Sequence, residues 1–313
     1  MATINRADIC FIRAKLKNDY VVNGRVRKGY KNLIPYRDYN LLFRVMREIW
    51  FRLGLPERIW YNPRIKTIES KVIIINDPLI TPGLVSYVTE LFPDRKIYLV
   101  YENRAANTLD PDKVKNPSVI KVTYDETDSE RYGMHYLAGC YQDIYRLENP
   151  KRDLYDVVYV GRDKGRGEKL LELEKQFKGL GLHTYFHICG DRWLINKHKR
   201  YYKKVLDYTE YLALVSRSRA ILNIMPEGQR ALTMRDYEVV FNGIKGITNC
   251  QWIRNFELYD PSRFFILGVD DIKTLPAFIA APFKPISEEE LEPYTEDYYM
   301  EKLLNLSDMG RHA

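Results

Sequence analysis

Apolar residues along this chain fall into short unbroken runs separated by longer amphipathic stretches. Val72-Ile73-Ile74-Ile75, Ile97-Tyr98-Leu99-Val100-Tyr101 and Val119-Ile120-Lys121-Val122 are three such runs in the first half. Their length and β-branched content predict buried parallel strands. Between the first two, Pro82 opens a predicted helix whose Leu84, Val85, Val88 and Leu91 share one face. Ile9-Cys10-Phe11-Ile12 reads as a further strand, and His135 as part of a helix. Tyr39–Trp60 is amphipathic and basic, with Leu42, Val45, Met46, Ile49 and Trp50 on one side and Arg44, Arg47, Arg52 and Arg58 among them.

The second half repeats this alternation. Asp156-Val157-Val158-Tyr159-Val160-Gly161 predicts a strand ending in glycine, then a charged helix with Leu170, Leu171, Leu173, Phe177 and Leu180 as its apolar positions. His183–Gly190 is the next strand, Tyr208–Ser218 a helix, and Ala220–Ile224 a strand. Thr233 and Asp236 have capping-box spacing, so a helix starts at Met234, and Gly243 closes it as the residue after the last turn. Gly246–Asn249 and Phe264–Leu267 complete the strands, with helices at 271–280 and 296–304. Strand–helix alternation of this kind predicts an α/β protein with parallel sheets. The expected domains are 1–150, 151–285 and a tail at 286–313.

Composition narrows the class. Apolar and charged fractions of 45% and 29% are those of an ordinary globular chain. No apolar run approaches the ~18 residues of a membrane span. The first residues lack a secretory pattern, which makes a cytoplasmic location the expectation. Four scattered cysteines form no Cys-x-x-Cys pair, so neither a metal site nor a disulfide framework is expected. Charge is uneven: residues 1–71 carry 16 Lys+Arg against 6 Asp+Glu, although the whole chain is only +7. A basic surface suits phosphates or anionic lipid, and the basic Tyr39–Trp60 segment is a candidate for peripheral contact with an anionic membrane. No nucleic-acid motif is present, so nucleic acid is not an expected partner.

Candidate chemistry gathers in the second half. Pro226–Glu238 lies between a strand and a helix, where open α/β sheets bind phosphorylated ligands. The helix N-terminus there carries roughly half a positive charge. Arg235 can add charge-assisted bonds to a diphosphate, and Glu238 can accept bonds from ribose hydroxyls. Gln229 and Thr233 belong to the same loop. Gly161-Arg162-Asp163-Lys164-Gly165-Arg166-Gly167 offers a second phosphate-friendly loop, with charge from Lys164 and Arg166. Its spacing fits neither the dinucleotide fingerprint nor the P-loop, which removes support from dehydrogenases and P-loop ATPases. Gly190-Asp191 ends another strand at the same predicted edge. In the first half, Asp77 follows a strand and is the candidate general base toward an acceptor hydroxyl, and Glu102 and Asn103 follow another. Asp110-Pro111-Asp112 has a D-x-D pattern but reads as a helix cap.

Residues 155–270 resemble the donor-binding domain of GT-B-fold glycosyltransferases, above all bacterial enzymes of capsular, exopolysaccharide or lipopolysaccharide synthesis. The resemblance runs through Tyr155–Arg166, Ile188–Asp191, Tyr208–Tyr211 and Ser218–Leu222. It is densest from Glu227-Gly228-Gln229 to Leu232-Thr233-x-Arg235-x-x-Glu238. It implies two Rossmann-like domains facing each other across a cleft, no bound cofactor or metal, and a nucleoside-diphosphate sugar as donor, with a UDP-sugar expected. It further implies that Glu238 binds ribose, that the Lys164–Arg166 loop binds diphosphate, and that the last helix crosses back to the first domain. The retaining branch separates two glutamates by seven residues; here Glu227 and Glu238 are separated by ten. That departure leaves Glu227 and the stereochemistry unassigned. The expected acceptor is a lipid-linked or growing polysaccharide. A GT-B-type sugar-nucleotide epimerase and a non-enzymatic basic-surface binder are the alternative expectations.

Overall fold

The unbroken apolar runs become the central strands of two parallel sheets. The computed structural model describes residues 5–13, 21–22, 25–26, 30–37, 40–190, 200–225 and 230–309. The chain divides into two compact units: Met1–Asp19, Arg27–Ala138 and Met300–Ala313 form the first, and Tyr20–Val26 with Gly139–Tyr299 the second. The division falls between Ala138 and Gly139 rather than near Pro150. The tail expected from 286 is shared, passing to the first unit at Met300.

The first unit is built on β1 (Ile9–Ile12), β4 (Lys31–Leu33), β5 (Val72–Asn76), β6 (Lys96–Tyr101), β7 (Val119–Thr123) and β8 (His135–Tyr136). Their order is β4-β1-β5-β6-β7-β8, with parallel pairing throughout. Ile73, Ile74 and Ile75 are all fully buried, as expected of a strand covered on both faces. Helices α1 (Leu41–Arg52), α2 (Pro82–Leu91) and α3 (Glu126–Tyr132) connect the strands. Helix α2 starts where Thr81 accepts the Leu84 amide and Pro82 holds the first turn, and it buries Leu84, Val85 and Val88. His135, expected in a helix, lies in the edge strand β8. Gly133 ends α3 in a left-handed turn and leaves the next residues extended.

A short hairpin, β2 (Val21–Val22) and β3 (Arg25–Val26), is antiparallel and counts with the second unit. The main sheet of that unit comprises β9 (Tyr155–Arg162), β10 (Thr184–Cys189), β11 (Ser218–Asn223), β12 (Lys245–Thr248) and β13 (Phe264–Ile266). The order is β10-β9-β11-β12-β13, again all parallel. Helices α4 (Gly167–Gly179), α5 (Tyr208–Ser216), α6 (Met234–Asn242), α7 (Leu275–Ala280), α8 (Glu288–Leu291) and α9 (Glu296–Met309) follow. The helix expected from 271 opens as a 3-10 turn at Ile272–Thr274 before α7 begins. Gly243 ends α6 with φ 59°, a left-handed turn that glycine adopts without steric cost. No described helix is long and apolar enough to cross a membrane.

Candidate functional site

The second sheet has a topological switch point. β10 lies on one side of β9, and β11 with all later strands on the other. Ligands of open α/β sheets gather outside the C-terminal ends of the two strands at such a point. Here those ends are Arg162 of β9 and Asn223 of β11, and two arginines tie them together.

Arg166 donates to the carbonyls of Ile224, Arg162 (3.2 Å) and Asp163 (3.3 Å), linking the loop after β9 to the end of β11. Arg235, in the first turn of α6, reaches in the opposite sense. Its guanidinium donates to the Val160 carbonyl and lies 5.8 Å from the Tyr159 ring centroid. Gly161 makes room for this. A Cβ there would lie 2.8 Å from the Tyr159 hydroxyl and 3.3 Å from Arg235 Nη2. Burial works against the Arg235 charge, but Tyr211, Glu238 and further tyrosines favour it, and the balance raises its pKa. Its Nε is buried without an acceptor among the described residues.

The start of α6 is held by polar residues of both flanking elements. Asp236 accepts from the Thr233 amide (2.7 Å) and hydroxyl (2.9 Å), the reverse half of a capping box. Asn223, the last residue of β11, donates to Thr233 Oγ1 (2.9 Å) and Asp236 Oδ1 (3.1 Å). This leaves the first-turn amides of Met234 and Arg235, which have no intrahelical acceptor, at the sheet edge.

Glu238 lies one turn further on and is 1% exposed. One carboxylate oxygen accepts from the Tyr208 hydroxyl at 2.5 Å, and the other from the Tyr211 hydroxyl. Burial raises its pKa, opposed by those two bonds and by the Arg235 charge. Each oxygen thus holds one tyrosine, and burial beneath the two rings, not a lack of lone pairs, is what keeps a ribose hydroxyl from Glu238. Tyr208 and Tyr211 bound one stretch of the resemblance, but it assigns them no role in the site. Their three-residue spacing on α5, opposite a helix carrying a lone glutamate, is the signal that finds them.

The loop after β9 is organised by Asp163, which is 2% exposed. It accepts the Gly167 amide (2.7 Å), the Tyr202 hydroxyl (2.5 Å) and the Tyr201 hydroxyl (3.2 Å). Gly167 is the first residue of α4, so the loop's own carboxylate takes up an amide expected to be open to phosphate. Lys164 is exposed and holds a left-handed conformation with φ 46°, at a cost of about 1 kcal/mol for a non-glycine residue. Replacing it tests the site cheaply. Lys164→Gly should leave melting unchanged or raise stability by up to about 1 kcal/mol, while weakening nucleoside-diphosphate binding severalfold. Undiminished affinity in a calorimetric titration would remove Lys164 from the site.

Gly190 follows β10, and its carbonyl accepts from Arg162 Nη1 at 2.9 Å. Asp191 and Gln229, together with Glu227, lie outside the described residues. Gly161, Lys164, Arg166, Gly190, Thr233, Arg235 and Glu238 thus belong to a strand end, two loops and the first half of α6, at one edge of one sheet.

Asp77 belongs to the first unit and is fully buried at the end of β5. It accepts the Glu102 amide (2.6 Å) and the Asn103 side chain (3.1 Å), and burial raises its pKa. As a fastener of the loop after β6, it has no face to offer an acceptor hydroxyl. Glu102 beside it is exposed and accepts from Asn76 at 2.6 Å. Asp110 caps a 3-10 turn by accepting the Asp112 amide, with Pro111 in first position. No group of three or more His, Cys, Asp or Glu side chains suited to a metal ion occurs among the described residues.

No protein-family model and no curated protein matches the sequence. Among solved structures, the chain is similar to AviGT4, a glycosyltransferase involved in avilamycin A biosynthesis. The TM-score is 0.52 at 12% identity, over 95% of this chain and 96% of that one. It also aligns with the catalytic domain of starch synthase IV from Arabidopsis thaliana, bound to ADP and acarbose, at TM-score 0.38 and 11% identity, over 82% of this chain and 71% of that one. The second likeness is too distant to carry an argument. The first shows the fold: two Rossmann-like α/β units of the GT-B class.

Proposed function

We propose that this chain is a glycosyltransferase that binds a nucleoside-diphosphate sugar, a UDP-sugar in the first instance, at the β9/β11 edge. The sugar passes to an acceptor hydroxyl, and the acceptor is a lipid-linked or growing surface polysaccharide. One observation carries the reading. Two arginines from separate elements, Arg166 and Arg235, converge on the switch point of a parallel sheet, beside an exposed lysine and the first turn of α6.

When the bond from the sugar's anomeric carbon to the diphosphate breaks, the electron pair leaves on phosphate oxygen. Preorganised donors aimed at that oxygen lower the barrier, because they need no reorientation as charge develops. Arg235, Lys164 and the first-turn amides of α6 are the groups placed to do this. Arg166 braces the two strand ends and adds positive potential. Glu238 acts through Arg235 and the tyrosines, as a positioning residue. On the acceptor side, Glu102 replaces Asp77 as the candidate carboxylate, because it has access to solvent.

A thermal-shift series against UDP, GDP, ADP, CDP and their sugars tests the reading. A ligand that binds only the folded state at about a hundredfold excess over its Kd stabilises by roughly 2.7 kcal/mol. UDP and a UDP-sugar should raise the melting temperature above the other bases. Turnover of that sugar nucleotide should then require an acceptor. Interconversion without acceptor would instead identify an epimerase, and no shift with any nucleotide would sink the proposal.

A further inference from the structure

Helix α1 is inside out. Leu41, Leu42, Val45, Met46, Ile49 and Leu53 share one side at four-residue spacings, and all of them face solvent. Leu41, Leu42 and Leu53 are 76%, 64% and 68% exposed. Of fourteen large hydrophobic side chains exposed among the described residues, nine lie between Leu41 and Ile59. A contiguous patch of this kind on a folded surface marks an interaction site.

The helix is nevertheless firmly seated by its other side. Arg47 is buried, with its guanidinium 4.5 Å from the Tyr36 ring centroid. Trp50 and Phe51 pack on the core of the first unit. Phe43 and Trp50 meet the buried Trp60 edge-on at 6.3 and 6.4 Å. The apolar arc therefore stands on a rigid base that the domain has already buried.

Charge around the arc selects the occupant. Residues 40–66 hold six Lys+Arg and two Asp+Glu. Both carboxylates are engaged: Glu48 with Arg47, and Glu57 with Tyr61 and Thr81. Arg44 and Arg52 are exposed beside the apolar residues, while Arg58, in the next turn, is paired with Glu90 and contributes less to the rim. An apolar centre with a basic rim complements an anionic bilayer, where apolar side chains enter the acyl boundary and arginines meet the phosphates. A second copy would bring like charges together. Twelve residues make a helix about 18 Å long, suited to lying in the interface plane rather than spanning it.

We propose that α1, with the turn through Ile59, docks the protein on an anionic membrane surface. Docking needs neither nucleotide nor turnover, so it stands or falls apart from the donor-site reading. The test is co-sedimentation of the full chain with phosphatidylcholine vesicles, with and without phosphatidylglycerol. Binding should require the anionic lipid and weaken with salt. Arg44→Gln with Arg52→Gln should reduce the partition coefficient roughly thirtyfold. Leu42→Ser, Met46→Ser and Ile49→Ser together should reduce it at least about tenfold. Both variants change exposed side chains and should melt like the parent chain. Equal or absent binding to both vesicle types would overturn the proposal. So would a concentration-dependent dimer in sedimentation velocity that the triple serine variant makes monomeric.

Discussion

Arg235→Ala should cost about tenfold to a hundredfold in affinity for UDP or a UDP-sugar, with the fold retained. The range follows from losing one or two hydrogen bonds to a charged group, roughly 1.5–3 kcal/mol. Arg235 is bonded to the Val160 carbonyl beside the end of β9, with Gly161 opening the space for its guanidinium. Alanine deletes the charge where the diphosphate would sit and leaves the strand pairing alone. Lysine restores charge but not the planar fork, so Arg235→Lys should recover only part of the affinity. Calorimetric titration of the three proteins decides it. Equal affinity for UDP across them would dismiss Arg235 as a donor ligand, while its contribution to packing would remain measurable by melting.

Glu238→Ala has the largest expected effect on stability, a loss of about 3–5 kcal/mol. Removing one partner of a buried charged cluster leaves the others unpaired. Here the Tyr208 and Tyr211 hydroxyls lose their acceptor, and Arg235 loses a neighbouring negative charge. Glu238→Gln keeps an acceptor oxygen and the side-chain volume, and should lose less. The pH dependence has a definite sign. Burial raises the folded-state pKa of Glu238 above its unfolded value, so the folded state holds the extra proton between them. Stability linked to this group is then greatest below the ordinary carboxylate range and falls as pH rises through the folded-state value. Glutamine should flatten that limb of a urea-denaturation series. A Glu238→Ala protein that unfolds at the same urea concentration as its parent would contradict the assignment.

Strands and helix ends were legible locally. Val72–Ile75 cannot be half-exposed without stranding two of its four large side chains, so its place inside a sheet follows from the run itself. Thr233, Asp236 and Gly243 carry their own geometry and bounded α6 to the residue. The edge strand Lys31–Leu33 has no such signature, because an edge needs little apolar surface and borrows its order from β1. His135 shows the same dependence on a neighbour, since its strand exists by pairing with β7.

In the site, charge was visible and occupancy was not. Lys164, Arg166, Arg235 and Glu238 were evident as charged residues near a sheet edge. That Arg166 would reach Ile224, or that Tyr208 and Tyr211 would close over Glu238, depends on residues about thirty to sixty positions away in sequence. The position of Asp77 after a strand suggests a base, and only its bonds to the Glu102 amide and the Asn103 side chain reveal it as an anchor. Helix α1 shows the reverse case. Its amphipathic pattern was plain, but periodicity does not say which face turns inward, and here Arg47 does.

Asp163 bears on how this protein tells one anion from another. Its carboxylate sits on the first amide of α4, so that helix carries an intramolecular counter-ion. A phosphate approaching α4 meets a negative charge held by two tyrosines. The start of α6 also holds a buried acid, but Asp236 is spent on Thr233 and Asn223 rather than on the first helical amide. At the start of α4 the carboxylate therefore occupies the place an anion would take.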